Sequence, residues 1–237
     1  LCYVNNFKNP DMPRIISLPA GKGRQFKRQM NEFIEGLKKE IPLVFESEDY
    51  QRRIKEALEA YLEKKKALLG RFEGRVNEER FVLIQVHVGP FMKPDLAPII
   101  NEKPIDMDSV VKLVESGHLS DAEYQRLREK YQELTEEMEA VLKESKKIDQ
   151  EMGEQQRQLE KETILPLVNE YITEIKERFP YPKVDVYLDE VRENIMENLG
   201  RFRPTPEARP VIPGLLMPPE QESFSEFDVN VLVDNSN

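Results

Sequence analysis

The chain has 237 residues, 39% hydrophobic and 34% charged, and a formal net charge of −10. That length holds one or two domains, and the polar balance suits helices with much solvated surface better than a compact α/β enzyme. The acidity argues against duplex DNA, whose partners need Lys and Arg to displace phosphate counterions; no run approaches the ~18 apolar residues of a membrane span, so neither nucleic acid nor membrane is an expected partner.

Cys2, the single cysteine, excludes an internal disulfide framework and fits a reducing, cytoplasmic setting. The segment Cys2–Leu18 reads as two short strands, "CYVNNF" and "RIISL", around the turn "KNPDMP". "PAGKGRQF" then opens a helix. Phe26, Met30, Phe33, Leu37 and Ile41 recur at spacings of three and four, which places them on one face, and Pro42 is the predicted end. Ser47 reads as the N-cap of a second helix, with Tyr50, Ile54, Ala57, Tyr61 and Leu68 along one stripe; Gly70 and Gly74 are expected to break it.

Arg80–Gly89, "RFVLIQVHVG", is β-branched and strand-like, and Ala97–Ile105 reads as a shorter strand. "PFMKPDL" between them is predicted as a loop carrying Phe91 and Met92. Residues 80–105 are thus expected to form a β-hairpin or small sheet. "DMDSVVKLVESGHLS" predicts a short helix stopping at Gly117.

From Tyr124 the positions Leu127, Tyr131, Leu134, Met138, Val141, Ser145, Ile148 and Met152 alternate steps of three and four, and Gln155 and Leu159 continue the register. This is a heptad stripe over about five repeats, on a helix of roughly 60 Å. Ser120 with Glu123 three residues on makes a capping box at its start. So regular a stripe needs a partner helix: Tyr50–Leu68 of the same chain, giving an antiparallel coiled coil over about 47–162, or a second copy of the chain. Pro166 should kink or end the helix, after which Leu167, Tyr171, Ile175 and Phe179 resume the pattern. A last helix, about Val184–Leu199, turns Leu188, Val191, Ile195 and Leu199 to its buried side, and the six prolines of Pro204–Pro219 predict an extended linker. "FDVNVLVDNSN", Phe227–Asn237, alternates like a strand. Both ends read as interrupted strands, so a segment of a longer chain is expected.

No catalytic or metal-ligating set emerges. "AGKGRQ" has Gly21 and Gly23 flanking Lys22 with no Ser or Thr following, so it lacks the spacing of a phosphate loop and reads as a strand-to-helix turn. His87 and His118 have no Cys or His at ligand spacing. Carboxylates such as Glu136 and Glu137 lie on a long helix, where a solvated face is the simpler reading, and no serine sits in a nucleophile elbow. The candidate binding residues are Phe91 and Met92, whose adaptable apolar side chains suit an unfolded polypeptide; the alternative is that they tuck under the hairpin as core.

"CYVNNFKNPDMPRIISLPAGKG", charged helices, "ENLGRFRP", a Pro-rich spacer and "FDVNVLVDNS" form one ordered block. It resembles the middle segment of the Lon-like ATP-dependent proteases whose AAA+ module carries a large helical insertion. The resemblance spans the chain in order, is specific at both ends and only compositional along the coiled coil. It implies residues 1–18 and 227–237 as strands of a partial AAA+ core, 19–203 as the helical insertion and 204–226 as a linker. It also implies ATP, magnesium and a Ser–Lys peptidase elsewhere in a hexameric parent, with no cofactor in these residues, since the family's nucleotide-binding and catalytic residues match no position here.

The expected fold is mainly α with a small β component: a long antiparallel coiled coil, a helical base, a β-hairpin and terminal strands. The expected role is a substrate-engaging or gating domain of a cytoplasmic, ATP-dependent serine protease. Its partners would be unfolded polypeptides, its own AAA+ and peptidase domains and further copies of itself. A structural coiled-coil arm or scaffold of another ATPase is the competing reading, and a free-standing enzyme ranks below both.

Overall fold

The computed structural model describes residues 1–9, 11–203 and 223–232, the Val88 side chain excepted. The fold is mainly α with a small β component, as the sequence predicts. The chain divides into two compact units, Leu1–Ile54 with Gln156–Asn237, and Lys55–Gln155.

In the first unit, strands β1 (Cys2–Val4) and β2 (Arg14–Ile16) lie antiparallel. Helix α1 (Lys22–Glu46) follows, opened by Gly21 at φ 77°. Phe26, Met30, Phe33, Leu37 and Ile41 are fully buried, so the predicted stripe is the core face. Helix α2 (Glu48–Glu78) starts where Tyr50 N–H donates to Ser47 Oγ at 3.4 Å, so Ser47 does cap it. Helix α4 (Asp121–Arg178) and helix α5 (Pro182–Glu197) complete the helices of this core, with Val168, Ile172 and Ile175 from α4 and Leu188, Val191 and Ile195 from α5. A 3-10 turn at Ser225–Phe227 leads to β6 (Asn230–Val231), which pairs antiparallel with β1 and gives the order β2-β1-β6. The predicted terminal strand is therefore shorter, beginning only at Asn230, and residues 233–237 lie outside the described residues. So do residues 204–222 of the predicted linker.

Residues 55–155 hold the second unit. Strands β3 (Phe81–Val88), β4 (Phe91–Ile100) and β5 (Lys103–Pro104) form an antiparallel sheet, followed by the short helix α3 (Met107–Glu115). The portions of α2 and α4 here run antiparallel. Tyr61 Oη donates to Asp149 Oδ1 at 2.6 Å, Arg75 pairs with Glu133 at 3.0 Å and Lys130 with Glu79 at 3.1 Å. The heptad stripe thus has a partner in its own chain, and Ser120 and Glu123 exchange the hydrogen bonds of a capping box at 3.3 and 3.0 Å.

Three predicted helix stops do not occur, each for the same reason. Helix α1 continues through Pro42, α2 through Gly70 and Gly74, and α4 through Pro166. An interior proline costs about 3 kcal/mol and a glycine about 1. Burying one large apolar side chain returns about 1.5–3 kcal/mol. Ile41 and Phe45 flank Pro42, Phe72 and Val76 follow Gly70, and Ile164 and Val168 flank Pro166, all of them buried. Two such burials outweigh one breaker.

Helices α1 and α4 approach too closely for a side chain at Gly36. A Cβ there would overlap Tyr171 Oη and lie 2.8 Å from Tyr171 Cζ, where the tyrosine reaches across to Glu40 Oε1 at 2.7 Å. Gly36→Ala should therefore destabilise the chain by about 1–3 kcal/mol, although alanine is the better helix former by about 1 kcal/mol. Urea unfolding measures this, and a stabilised variant would contradict the close approach.

Candidate functional site

The hairpin of the second unit begins with sequence that favours strands. Phe81–Val88 is rich in β-branched residues, and Gly89 takes φ 61° beside Pro90, the sign pattern of a two-residue type II′ turn. The register runs unbroken from Phe81↔Pro98 to Val88↔Phe91. "PFMKPDL" is accordingly not a loop: Phe91–Leu96 belongs to β4. Pro94 marks that stretch as loop in the sequence, but it stands opposite Gln85 in a pair that needs no N–H from it; Pro98, inside the expected strand Ala97–Ile105, stands likewise opposite Phe81.

One end of the hairpin is anchored. Phe81 and Leu96 pack with Phe72 and Val76 of α2 and with Leu134 and Met138 of α4 in a second apolar core. Beside it, Tyr131 Oη donates to Asp95 Oδ1 at 2.7 Å, and the Leu96 N–H donates to the same oxygen at 2.8 Å. Burial, and then the bond to Asp95, push the Tyr131 hydroxyl up to about 12. Neither Asp95 nor its partnership with Tyr131 was identified from sequence, because the pairing joins positions 36 apart. The heptad register marked Tyr131 only as a seam residue.

The other end is solvated. Phe91 is 74% exposed and Met92 54%, so the two candidate residues do not tuck under the hairpin as core. As neighbours on a strand they project from opposite faces of the sheet. Leu83, Gln85 and His87 on β3 are exposed as well. His118 lies apart in the turn after α3, its Nδ1 2.9 Å from Ser116 Oγ. Among the described residues no three His, Cys, Asp or Glu side chains gather as metal ligands, and no helix is long and apolar enough to cross a membrane. The chemistry this end offers is apolar contact and main-chain hydrogen bonding.

In the first unit the Gly21–Lys22–Gly23 turn does structural work. Gly23 is buried where a Cβ would meet Cys2 Sγ at 3.2 Å and Val231 Cγ1 at 3.3 Å, so it lets the first turn of α1 lie close to β1 and β6.

The family model described as the Lon-like LonC helical domain matches residues 1–33, which comprise β1, β2 and the first turns of α1. The match supports a relation to the Lon-like family at that coarse level, and it concerns neither an AAA+ module nor the place of an insertion. Comparison with curated proteins and with solved structures gives no match.

Tyr131→Phe should lower the stability of the second unit by about 1 kcal/mol, the usual worth of one such bond. The tyrosine's folded value is raised above its ordinary 10.0, so its contribution is complete below pH 10. It disappears as pH rises through about 12. Denaturation of wild type and variant at pH 8 and above pH 11 measures this, and a gap that persists at high pH would contradict it.

Proposed function

We propose that this chain is a substrate-engaging segment of a Lon-like ATP-dependent protease, and that its hairpin contacts unfolded polypeptide. The observation that carries the reading is the exposure of Phe91 and Met92 at the solvated end of a hairpin whose other end is fixed in a helix seam. The family match over residues 1–33 supports the protease relation. In this reading ATP, magnesium and the Ser–Lys peptidase belong to other parts of a longer, homo-oligomeric parent.

The magnitudes suit transient capture. Full burial of two such side chains gains about 3–6 kcal/mol, from which the entropy of association must be subtracted. One hairpin therefore binds weakly and without sequence preference, and several copies acting on one chain multiply the affinity. A structural arm without protease activity is the second reading. In its favour, Leu58, Leu62 and Leu69 lie exposed on α2, an apolar row open to another helix.

In the intact parent, replacing Phe91 and Met92 together by serine should slow ATP-dependent degradation of an unfolded protein by about 10-fold or more. Cleavage of a small peptide, which needs no capture, should persist. Degradation at the wild-type rate would remove the hairpin from substrate engagement. A parent silent towards both substrates would move the structural arm to the front.

A further inference from the structure

The hairpin has two long borders, and only one is sealed. In the order β3-β4-β5, strand β3 stands at one border. In an antiparallel ladder alternate residues turn their N–H and C=O towards a given neighbour. The Ile99 N–H donates to Arg80 O at 2.8 Å, so Phe81↔Pro98 is a non-hydrogen-bonded pair. Val82, Ile84 and Val86 therefore bond to β4. Phe81, Leu83, Gln85 and His87 turn their main-chain groups away from it.

Strand β5 pairs with Ile99 and Ile100, and the Ile105 N–H just beyond it donates to Pro98 O at 3.0 Å; the second border is the remainder of β4. Its outward positions are Met92, Pro94, Leu96 and Pro98. The two prolines have no N–H, and that of Leu96 is taken by Asp95 Oδ1 at 2.8 Å. Strand pairing is blocked there by the devices that protect natural edges. Strand β3 has none of them: Phe81–Val88 holds no proline and no Asp, Glu, Lys or Arg, and its register has no bulge. Among the described residues, no backbone hydrogen bond joins Leu83, Gln85 or His87 to a segment outside the sheet.

We infer that the β3 edge receives an extended segment of a non-native polypeptide, which adds to the sheet as a further strand. The inference rests on the polypeptide-engaging reading and specifies its mode. Only another extended backbone repeats donors and acceptors at the two-residue spacing of the outward groups, and main-chain pairing is indifferent to sequence, as capture of varied unfolded chains requires. A second copy of this chain also carries such an edge, but at a net charge of −10 the copies repel. A neutral or basic segment meets no such repulsion.

The test uses the 237-residue chain and a fluorescein-labelled peptide of alternating valine and threonine with lysine at both ends. A twin peptide carries N-methyl groups on alternate amides. Strand addition predicts that the amides of Leu83, Gln85 and His87 exchange at least 10-fold more slowly on binding, while those of Val82, Ile84 and Val86 change little. It also predicts at least 10-fold weaker binding by the twin methylated on its pairing edge, and by Gln85→Pro, which removes an outward N–H alone. Should Gln85→Pro fail to fold, the exchange pattern and the methylated twin decide on the unaltered chain.

Equal binding of both peptides without amide protection, abolished by serine at Phe91 and Met92, would overturn strand addition and leave polypeptide engagement standing. A peptide-independent dimer that protects the same amides would overturn it in favour of a second copy. No binding of either peptide would overturn it as well. The polypeptide-engaging reading itself falls only if degradation by the parent also ignores Phe91 and Met92.

Discussion

A β-hairpin is at best marginally stable alone in water, so everything proposed for this one depends on the apolar seam that holds its base. Phe72 and Val76 on α2 and Leu134 and Met138 on α4 would make only a narrow two-helix contact by themselves. Phe81 and Leu96 enter that contact, and the hairpin acquires a core it does not possess alone. Asp95 reinforces the junction by accepting from both the Leu96 backbone and the Tyr131 hydroxyl. Fixing one end leaves the apolar surface of the other end exposed at a defined place, the arrangement expected of a contact surface.

The first unit meets a different demand, that of closing the two ends of the described chain on one another. Strand β1 lies between β2 and β6, so positions near residue 2 and near residue 231 share one small sheet. Three strands this short have little stability of their own. Val4, Ile16, Phe227 and Val229 are buried in the same core as α1, α4 and α5, and that packing supplies it. The close approaches at Gly23 and Gly36 make the packing possible.

Periodic features were legible in the sequence. The stripe of α1, the heptads of α4, the capping box at Ser120 and the buried face of α5 all follow from spacing, and each is where spacing puts it. The misreadings were local signals overridden by burial. Pro42, Gly70, Gly74 and Pro166 carry real local costs, but the apolar residues flanking them are worth more. Pro94 reads as loop because proline lacks an N–H, and whether that matters depends on register, which no local signal reveals. Phe91 and Met92 could be nominated from composition, whereas their exposure could not, since the same residues would serve equally well as core. The Asp95–Tyr131 bond and the unguarded β3 edge exist only once strand and helix are paired.

The central claim is that the solvated end of the hairpin meets unfolded polypeptide. Its most direct measurement places a photocrosslinking amino acid at position 91 of the intact parent and, as a reference, at position 142, an exposed leucine on α4. Each is irradiated while an unfolded protein is being degraded. Substrate crosslinks are expected from 91, diminished by competing unfolded chain, and few from 142. Equal labelling from both positions, or none from 91 while degradation proceeds, would contradict it.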